Sequence, residues 1–182
     1  GLVLPALTLG TAMAAILALD TAVVADICAQ VRADTGRRVQ IANDNCPGQL
    51  VISGDKDALA VAMTAAKEAG ARKVVQLPIT IASHSPLMAG AAEAFAAAVA
   101  ETAVAAPGVP VIGNVSARPL ATPADVRHEL EAQLTSPVRW TESIQYLLAQ
   151  GVDTFVEVGP KDVLLSLVKR IDRKAKRIKL EV

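Results

Sequence analysis

Residues 38–79 read RVQIANDNCPGQLVISGDKDALAVAMTAAKEAGARKVVQLPI, and this stretch decides the fold. Two short apolar runs, at 38–44 and 49–54, are separated by the turn-forming sequence C-P-G, which predicts two strands joined by a tight connection. Residues 55–70 place apolar side chains at helical spacing and end on a glycine, which is typical of a helix with a glycine C-cap. Residues 72–79 then predict another strand.

The residues before this stretch complete the pattern. Residues 13–19, MAAILAL, predict a strand, and Asp20 is suited to begin the helix that follows. The resulting order, β-α-β-β-α-β, is the ferredoxin-like arrangement of two split βαβ units. We therefore expect residues 11–79 to form a small α/β subdomain with four strands and with two helices on one face of the sheet.

The rest of the chain predicts a second series of helices and strands. The predicted helices cover residues 86–103, 123–134, 139–151 and 161–172, and the predicted strands cover residues 109–115, 153–159 and 177–182. Three strands are too few for a doubly wound sheet with its own core. We therefore expect an incomplete sheet whose apolar face either pairs with another segment or stays exposed.

Composition narrows the class of protein and of partner. Hydrophobic residues make up 52%, charged residues 20% and aromatic residues only 2% of the sequence, which indicates a globular protein without the aromatic platform that single-stranded nucleic acid needs. The formal net charge is zero, but residues 169–182 hold seven Lys and Arg against Asp172 and Glu181, a local balance of +5. This basic segment is interpreted first as a solvated helix end, and otherwise as a docking surface for an acidic partner or a phosphate. We expect no nucleic-acid partner.

The two cysteines and the uncharged residues 1–19 indicate in which compartment the protein acts and whether a metal or a membrane is involved. Cys28 and Cys46 stand in no metal-ligand or redox spacing, which favours reduced thiols in a cytoplasmic protein without a bound metal. Residues 1–19 carry no charged group, but they have no basic leading region and are interrupted by Pro5 and Gly10. A membrane role is therefore not expected.

One of the two histidines is a candidate base. His84 lies in ITIASHSPLMAG, residues 79–90, between a predicted strand and a predicted helix, where α/β enzymes place reactive groups. A neutral imidazole suits general base chemistry, although a lone loop histidine is more often structural. His128 stands between Arg127 and Glu129, which indicates a solvated helix face.

The sequence offers no nucleophile to match this base. The elbow motif G-x-S-x-G does not occur in the 182 residues. Ser83 and Ser85 flank His84, but adjacent side chains seldom converge on one point. From the residues alone, the chain therefore cannot be called a complete enzyme.

Five segments, in this order along the chain, together resemble the malonyl-CoA:acyl carrier protein transacylase family, to which the acyltransferase domains of polyketide synthases are related. The segments are GTAMAAILAL, ANDNCPGQLVISGDKDAL, LPITIASHSPLM, VPVIGNVSARPL and QLTSPVRWTESIQYLLAQGVDTFVEVGPKDVLLSLVKRI. The resemblance implies a large α/β-hydrolase-like acyltransferase domain with a ferredoxin-like subdomain inserted into it. Residues 1–10 and 80–182 would belong to the large domain, and residues 11–79 would be the insert.

The resemblance also implies a mechanism and a site. A serine on a G-H-S-x-G elbow would take malonyl from coenzyme A and pass it to the phosphopantetheine thiol of acyl carrier protein, with no cofactor beyond the coenzyme A thioester substrate. His84 matches the histidine that activates the serine, and Gln133 matches the residue whose backbone carbonyl orients that histidine. Asn43 and Asn45 match residues of the insert that face the cleft. Ser83 occupies the position that often tracks the acyl group, serine being common with methylmalonyl, and malonyl remains the expected substrate.

Two departures from the family pattern leave other functions open. The nucleophile elbow is missing from the 182 residues, and GPKDVL, residues 159–164, places Lys161 where the family usually has glycine. One alternative is a non-catalytic module that binds carrier proteins through the basic segment at residues 169–182. Another is a separate hydrolase that uses an unrecognised serine.

Overall fold

The computed structural model describes residues 10–182, so the predicted irregular segment at residues 1–10 lies outside the described residues except for Gly10. The fold is mixed α/β. Its first half has the elements β1 (Thr11–Leu17), α1 (Thr21–Thr35), β2 (Val39–Cys46), β3 (Gln49–Asp55), α2 (Lys56–Glu68) and β4 (Lys73–Gln76). This is the order of elements predicted for residues 11–79.

The second half begins with a short 3₁₀ turn at Pro86–Met88. It continues with α3 (Ala89–Glu101), β5 (Val111–Ile112), β6 (Pro119–Leu120), α4 (Pro123–Gln133), β7 (Val138–Arg139), α5 (Trp140–Ala149), β8 (Thr154–Val158), α6 (Val163–Ile171) and β9 (Lys176–Leu180). The predicted helices are all present. The predicted strand at 109–115 is only two residues long, and neither β6 nor β7 was predicted.

The main sheet has the strand order β4-β1-β3-β2-β7. Strands β1 to β4 pair antiparallel, whereas β7 pairs parallel with β2 through Asn43 opposite Val138 and Asp44 opposite Arg139. The second half of the chain thus adds a strand to the sheet of the first half. This attachment places the end of α4 beside β2, where the candidate site lies.

The core of the first half is built from small and aliphatic side chains. Helices α1 and α2 cover one face of the sheet, where buried alanines of α2 pack with Ile16, Leu50 and Ile52. Because alanine has little bulk, these helices approach the sheet closely, which fits a composition poor in aromatic residues. The opposite face carries a smaller buried cluster that includes Met13 and Val51.

Strands β8 and β9 pair parallel as a separate two-stranded sheet, whereas β5, the third strand predicted for this half, pairs with β6 instead. One face packs on the second core, where Phe155 lies with Trp140 and Ile144. The opposite face exposes Val156, Val158, Ile178 and Leu180, at 50%, 65%, 47% and 50% of their surface. Parallel strands are usually covered on both faces, so this face is unusual for an isolated domain.

Two further features bear on the expectations from sequence. Between residues 10 and 182, no helix is long and apolar enough to cross a membrane. In the same residues, no group of three His, Cys, Asp or Glu side chains is arranged to hold a metal ion.

The buried thiols predict a loss of stability at alkaline pH. Burial raises the pKa of Cys28, which is 1% exposed, from 9.0 to about 11, and burial also raises the pKa of Cys46. In the unfolded chain the thiols lose their protons first, so the free energy of unfolding should fall as the pH rises from about 9 to about 11. For Cys28 alone the loss should reach about 2–3 kcal/mol.

Urea unfolding at pH 8 and at pH 10.5 measures this loss. The variant Cys28→Ala should lose less stability than the unmodified chain between the two pH values, because it lacks the thiol. An equal loss in both proteins would contradict the assignment to Cys28.

Candidate active site

His84 lies in a turn whose backbone is held in an uncommon conformation. Its φ is +58°, in the left-handed region that side-chain-bearing residues seldom adopt. The adjacent Ser85 is 1% exposed, and its hydroxyl donates to the carbonyl of Ala82 at 2.7 Å. This bond closes the turn and engages Ser85, while the imidazole of His84 remains half-buried.

The imidazole contacts the end of helix α4. His84 Nδ1 lies 2.9 Å from the backbone carbonyl oxygen of Gln133, the last residue of that helix. A carbonyl oxygen can only accept a hydrogen bond, so Nδ1 must carry the proton, and the neutral ring then has Nε2 free as an acceptor. The structure therefore brings His84 and Gln133 together through the main-chain group that the resemblance implies.

The C-terminal end of α4 is well suited to accept a hydrogen bond from His84. The carbonyls of the last turn of a helix have no partners within the helix, so the bond from His84 costs α4 no internal hydrogen bond. The arrangement can thus fix the tautomer of His84.

A second contact to His84 comes from the main sheet. The side-chain amide Nε2 of Gln40, on β2, donates to the backbone carbonyl of His84 at 2.8 Å. Gln40 was not predicted as a site residue, since a polar residue in a strand carries no sign of a partner 44 residues away.

Asn43 and Asn45 lie on the irregular part of β2. The pairing of β2 with β3 shifts register on either side of Asn43 and Asp44, which leaves Ala42 and Asn45 as the extra residues of two bulges. Bulges bend a strand and re-aim its side chains. Both asparagines are half-buried, and neither side chain hydrogen-bonds His84 or Gln133 within the described residues.

Asp44, which lies between these two asparagines, anchors β2. It was not predicted as a site residue. The carboxylate of Asp44 accepts a hydrogen bond from the hydroxyl of Thr141 on α5 at 2.5 Å and one from Thr21 on α1 at 3.2 Å. Asp44 thereby joins β2 to a helix from each half of the chain, next to the pairing with β7.

Ser83 lies in the same turn as His84 and is half-buried. Within residues 10–182 its hydroxyl makes no hydrogen bond to the imidazole of His84. The structure therefore places Ser83 beside the candidate base without giving it a contact that defines a role.

The helix face around His128 was predicted to be solvated, which is right for His128 and wrong for Glu129. His128 is exposed, as expected, but Glu129 is 7% exposed. Its carboxylate accepts the backbone N–H of Val115 at 2.6 Å and that of Ser116 at 3.2 Å. Sequence alone classed this glutamate by its charge, whereas its partners are main-chain groups of a loop that folds over the helix.

Arg139, the last residue of β7, contacts the same loop from its other side. Arg139 donates to the carbonyls of Val115 at 3.4 Å and of Ser116 at 3.3 Å, and it pairs with Glu142. The hydrogen bonds that Arg139 donates to the Glu142 carboxylate raise the pKa of Arg139 above its usual value. These contacts hold β7 against the loop and so support the position of the α4 end that precedes it.

Comparison with known proteins shows the family of the chain. Residues 5–181 match the acyl transferase domain. The malonyl CoA-acyl carrier protein transacylase of Bacillus subtilis is 44% identical over 167 residues, which are 92% of this chain and 52% of that protein.

Solved structures give the same result. An acyl carrier protein S-malonyltransferase from Vibrio cholerae superposes with a TM-score of 0.91 at 39% identity, over 98% of this chain and 57% of the other. A malonyl-transacylase solved in complex with a type II polyketide acyl-carrier protein superposes with a TM-score of 0.89 at 36% identity, over 95% and 55% of the two chains. The chain spans about half the length of the proteins it matches.

Proposed function

Since this chain belongs to the acyl transferase domain family, we propose that it supplies the general base and the small subdomain of a malonyl-CoA:acyl carrier protein transacylase. The observation that carries the proposal is the contact of 2.9 Å between His84 Nδ1 and the Gln133 carbonyl oxygen. The similarity to malonyl CoA-acyl carrier protein transacylases supports the choice of reaction. The nucleophilic serine would come from a G-H-S-x-G elbow, which the 182 residues lack.

In this proposal His84 moves one proton in each half-reaction. Nε2 takes the proton of the serine hydroxyl as its oxygen attacks the malonyl thioester carbonyl, and it returns that proton to the departing coenzyme A thiolate. In the second half-reaction Nε2 takes the proton of the carrier protein's phosphopantetheine thiol, whose sulfur attacks the malonyl-serine ester. The proton then goes to the serine oxygen, and the enzyme is restored.

The Gln133 carbonyl would do the work that a carboxylate does in other triads. It keeps the proton on Nδ1 and so leaves Nε2 as the acceptor. Because the group belongs to the main chain, the identity of the side chain at 133 should matter little.

The finer assignments are part of the same proposal. Residues 11–79 would be a ferredoxin-like insert in the acyltransferase domain, and Asn43 and Asn45 would face the substrate cleft. Ser83 would contact the acyl group beside His84. The protein would act in the cytoplasm, in fatty-acid or polyketide synthesis, with acyl carrier protein and malonyl-CoA as its partners and no further cofactor.

Intact-mass analysis after incubation with malonyl-CoA tests the proposal. The chain alone should acquire no malonyl group, because it lacks the nucleophile. A single polypeptide that joins it to the part of the Bacillus subtilis transacylase outside the match should acquire one malonyl group and transfer it to acyl carrier protein. A stoichiometric malonyl-serine ester on the chain alone would overturn the assignment of the nucleophile.

A second function, carrier-protein docking without catalysis, is favoured by a basic groove between α6 and β9. The groove encloses about 330 Å³ and is lined by Asp162, Leu165, Ser166, Lys169, Arg177 and Lys179. Lys179 pairs with Glu181 at 2.5 Å and Arg177 donates to the Ala175 carbonyl at 2.6 Å, whereas Lys169 forms no ion pair within the described residues. Carrier proteins are generally acidic, so this surface would attract them.

Charge reversal at the groove tests this second function. The variant Lys169→Glu should raise the dissociation constant for acyl carrier protein about fivefold at low salt, and the difference should shrink as salt is added. Lys67→Glu, an exposed lysine at the end of α2, is the matched control and should have little effect. Binding that is insensitive to salt and equal in both variants would argue against docking at the groove.

A further inference from the structure

We propose that Gln40 is a positioning residue for His84. Its side-chain amide would hold the backbone of His84 in the conformation from which the imidazole reaches the Gln133 carbonyl. The consequence for catalysis rests on the proposed function, but the positioning itself is a property of this chain and can be measured on it.

The backbone conformation of His84 needs support from its surroundings. At φ +58° this residue lies in the left-handed region, which is unfavourable for a residue with a Cβ and persists only where its surroundings hold it. Locally, the Ser85 hydroxyl bonds the Ala82 carbonyl at 2.7 Å, but that bond closes the turn without engaging His84. The contact from Gln40 Nε2 to the His84 carbonyl oxygen, at 2.8 Å, acts on the strained residue itself.

The position of Gln40 in the sheet brings its side chain to the His84 turn. The preceding residue, Val39, is 1% exposed and lies in the core beneath the helices, so alternation along β2 directs Gln40 to the opposite face. Gln40 also lines a groove between α1, which contributes Arg32, and the segment that joins α4 to β7, which contributes Thr135 and Pro137. Gln40 thus stands where β2, the His84 turn and the end of α4 meet.

The two contacts on His84 constrain different parts of this residue. The bond from Gln40 fixes its carbonyl, and the bond to Gln133 fixes its ring. With the carbonyl released, the backbone can relax to a more favourable φ, which turns the Cα–Cβ bond and carries the ring away from Gln133. Loss of the Gln40 amide should therefore shift the ring from the Nδ1–H tautomer toward the Nε2–H tautomer.

The experiment is a nitrogen NMR measurement on the full 182-residue chain with ¹⁵N-labelled histidine. The chain has only two histidines, so His128→Gln identifies the ring signals of His84. In the unmodified chain His84 should be mainly the Nδ1–H tautomer. In Gln40→Leu, which removes the donor at similar size, the ratio of Nδ1–H to Nε2–H should fall about fivefold, the effect of losing one ordinary hydrogen bond.

Gln76→Leu makes the same chemical change at an exposed glutamine of β4 and should leave the His84 signals unchanged. If Gln40→Leu does not fold, Gln40→Glu provides the same test at neutral pH, because a carboxylate of similar shape cannot donate. An unchanged tautomer ratio in a folded Gln40 variant would overturn the proposal. The readout involves no malonyl transfer, so failure of the proposed function would leave it unaffected.

Discussion

Replacement of Gly54 by alanine is expected to destabilise the protein by about 3 kcal/mol or to prevent folding. A Cβ at Gly54 would lie 2.3 Å from the carbonyl oxygen of Arg38 and 2.7 Å from the Cα of Val39. Both contacts are with backbone atoms, of the first residue of β2 and of the residue before it, so no side-chain rotation can relieve them.

The neighbouring strand has little freedom to move away. Gly54 pairs with Val39 on one side and with Ala12 on the other, in the centre of the sheet. The carbonyl of Arg38 also accepts the N–H of Asp55 at 2.8 Å, while the Asp55 carboxylate accepts the N–H of Arg38 at 2.7 Å. An added methyl group would therefore separate β2 from β3, and β2 carries Gln40.

Gly90→Ala is the matched control for this prediction. Gly90 lies in α3, and a Cβ there would meet no atom within 4 Å. Alanine should raise the free energy of unfolding by about 0.5–1 kcal/mol, because it is the better helix former. Urea unfolding of both variants gives the comparison, and a Gly54→Ala midpoint equal to that of the unmodified chain would contradict the steric argument.

The elements that the sequence predicts well are those whose signals are local. The C-P-G turn, the alternation in the strands of residues 11–79 and the helical spacing of apolar residues all act within a few residues, and the corresponding elements are present. The elements it missed, β6 and β7, are two residues long and exist through their partners. β7 pairs with β2, almost a hundred residues earlier in the chain.

In the candidate site, too, the sequence predicts the features that have a local signal and misses those that depend on distant partners. The motif around His84 marks the base, and the resemblance marks Gln133. The contact of His84 with Gln40 spans 44 residues and that with Gln133 spans 49. The bond to Gln133 uses a main-chain carbonyl, and main-chain groups are the same at every position, so pattern alone cannot single it out. Glu129 was misjudged for a related reason, since its partners are two backbone N–H groups.

The second large effect is expected at His84 itself. In the polypeptide that joins this chain to the remaining part of the Bacillus subtilis transacylase, His84→Ala should lower the rate of malonyl transfer by about 10²–10⁴-fold, the range for loss of a general base. The loss should fall on the rate constant more than on the Michaelis constant for malonyl-CoA, because the imidazole acts on the proton of the nucleophile.

Gln133→Ala is the informative companion to that variant. It removes the whole side chain but keeps the carbonyl that accepts from His84 Nδ1 at 2.9 Å, so the rate should stay within the same order of magnitude. A carboxylate triad behaves differently, because there the orienting group is itself a side chain that mutation can remove. If Gln133→Ala lost as much activity as His84→Ala while folding normally, the side chain would be the functional group and the carbonyl would not. If His84→Ala kept full activity, the proton would be moved by another residue, and the assignment of the base would be wrong.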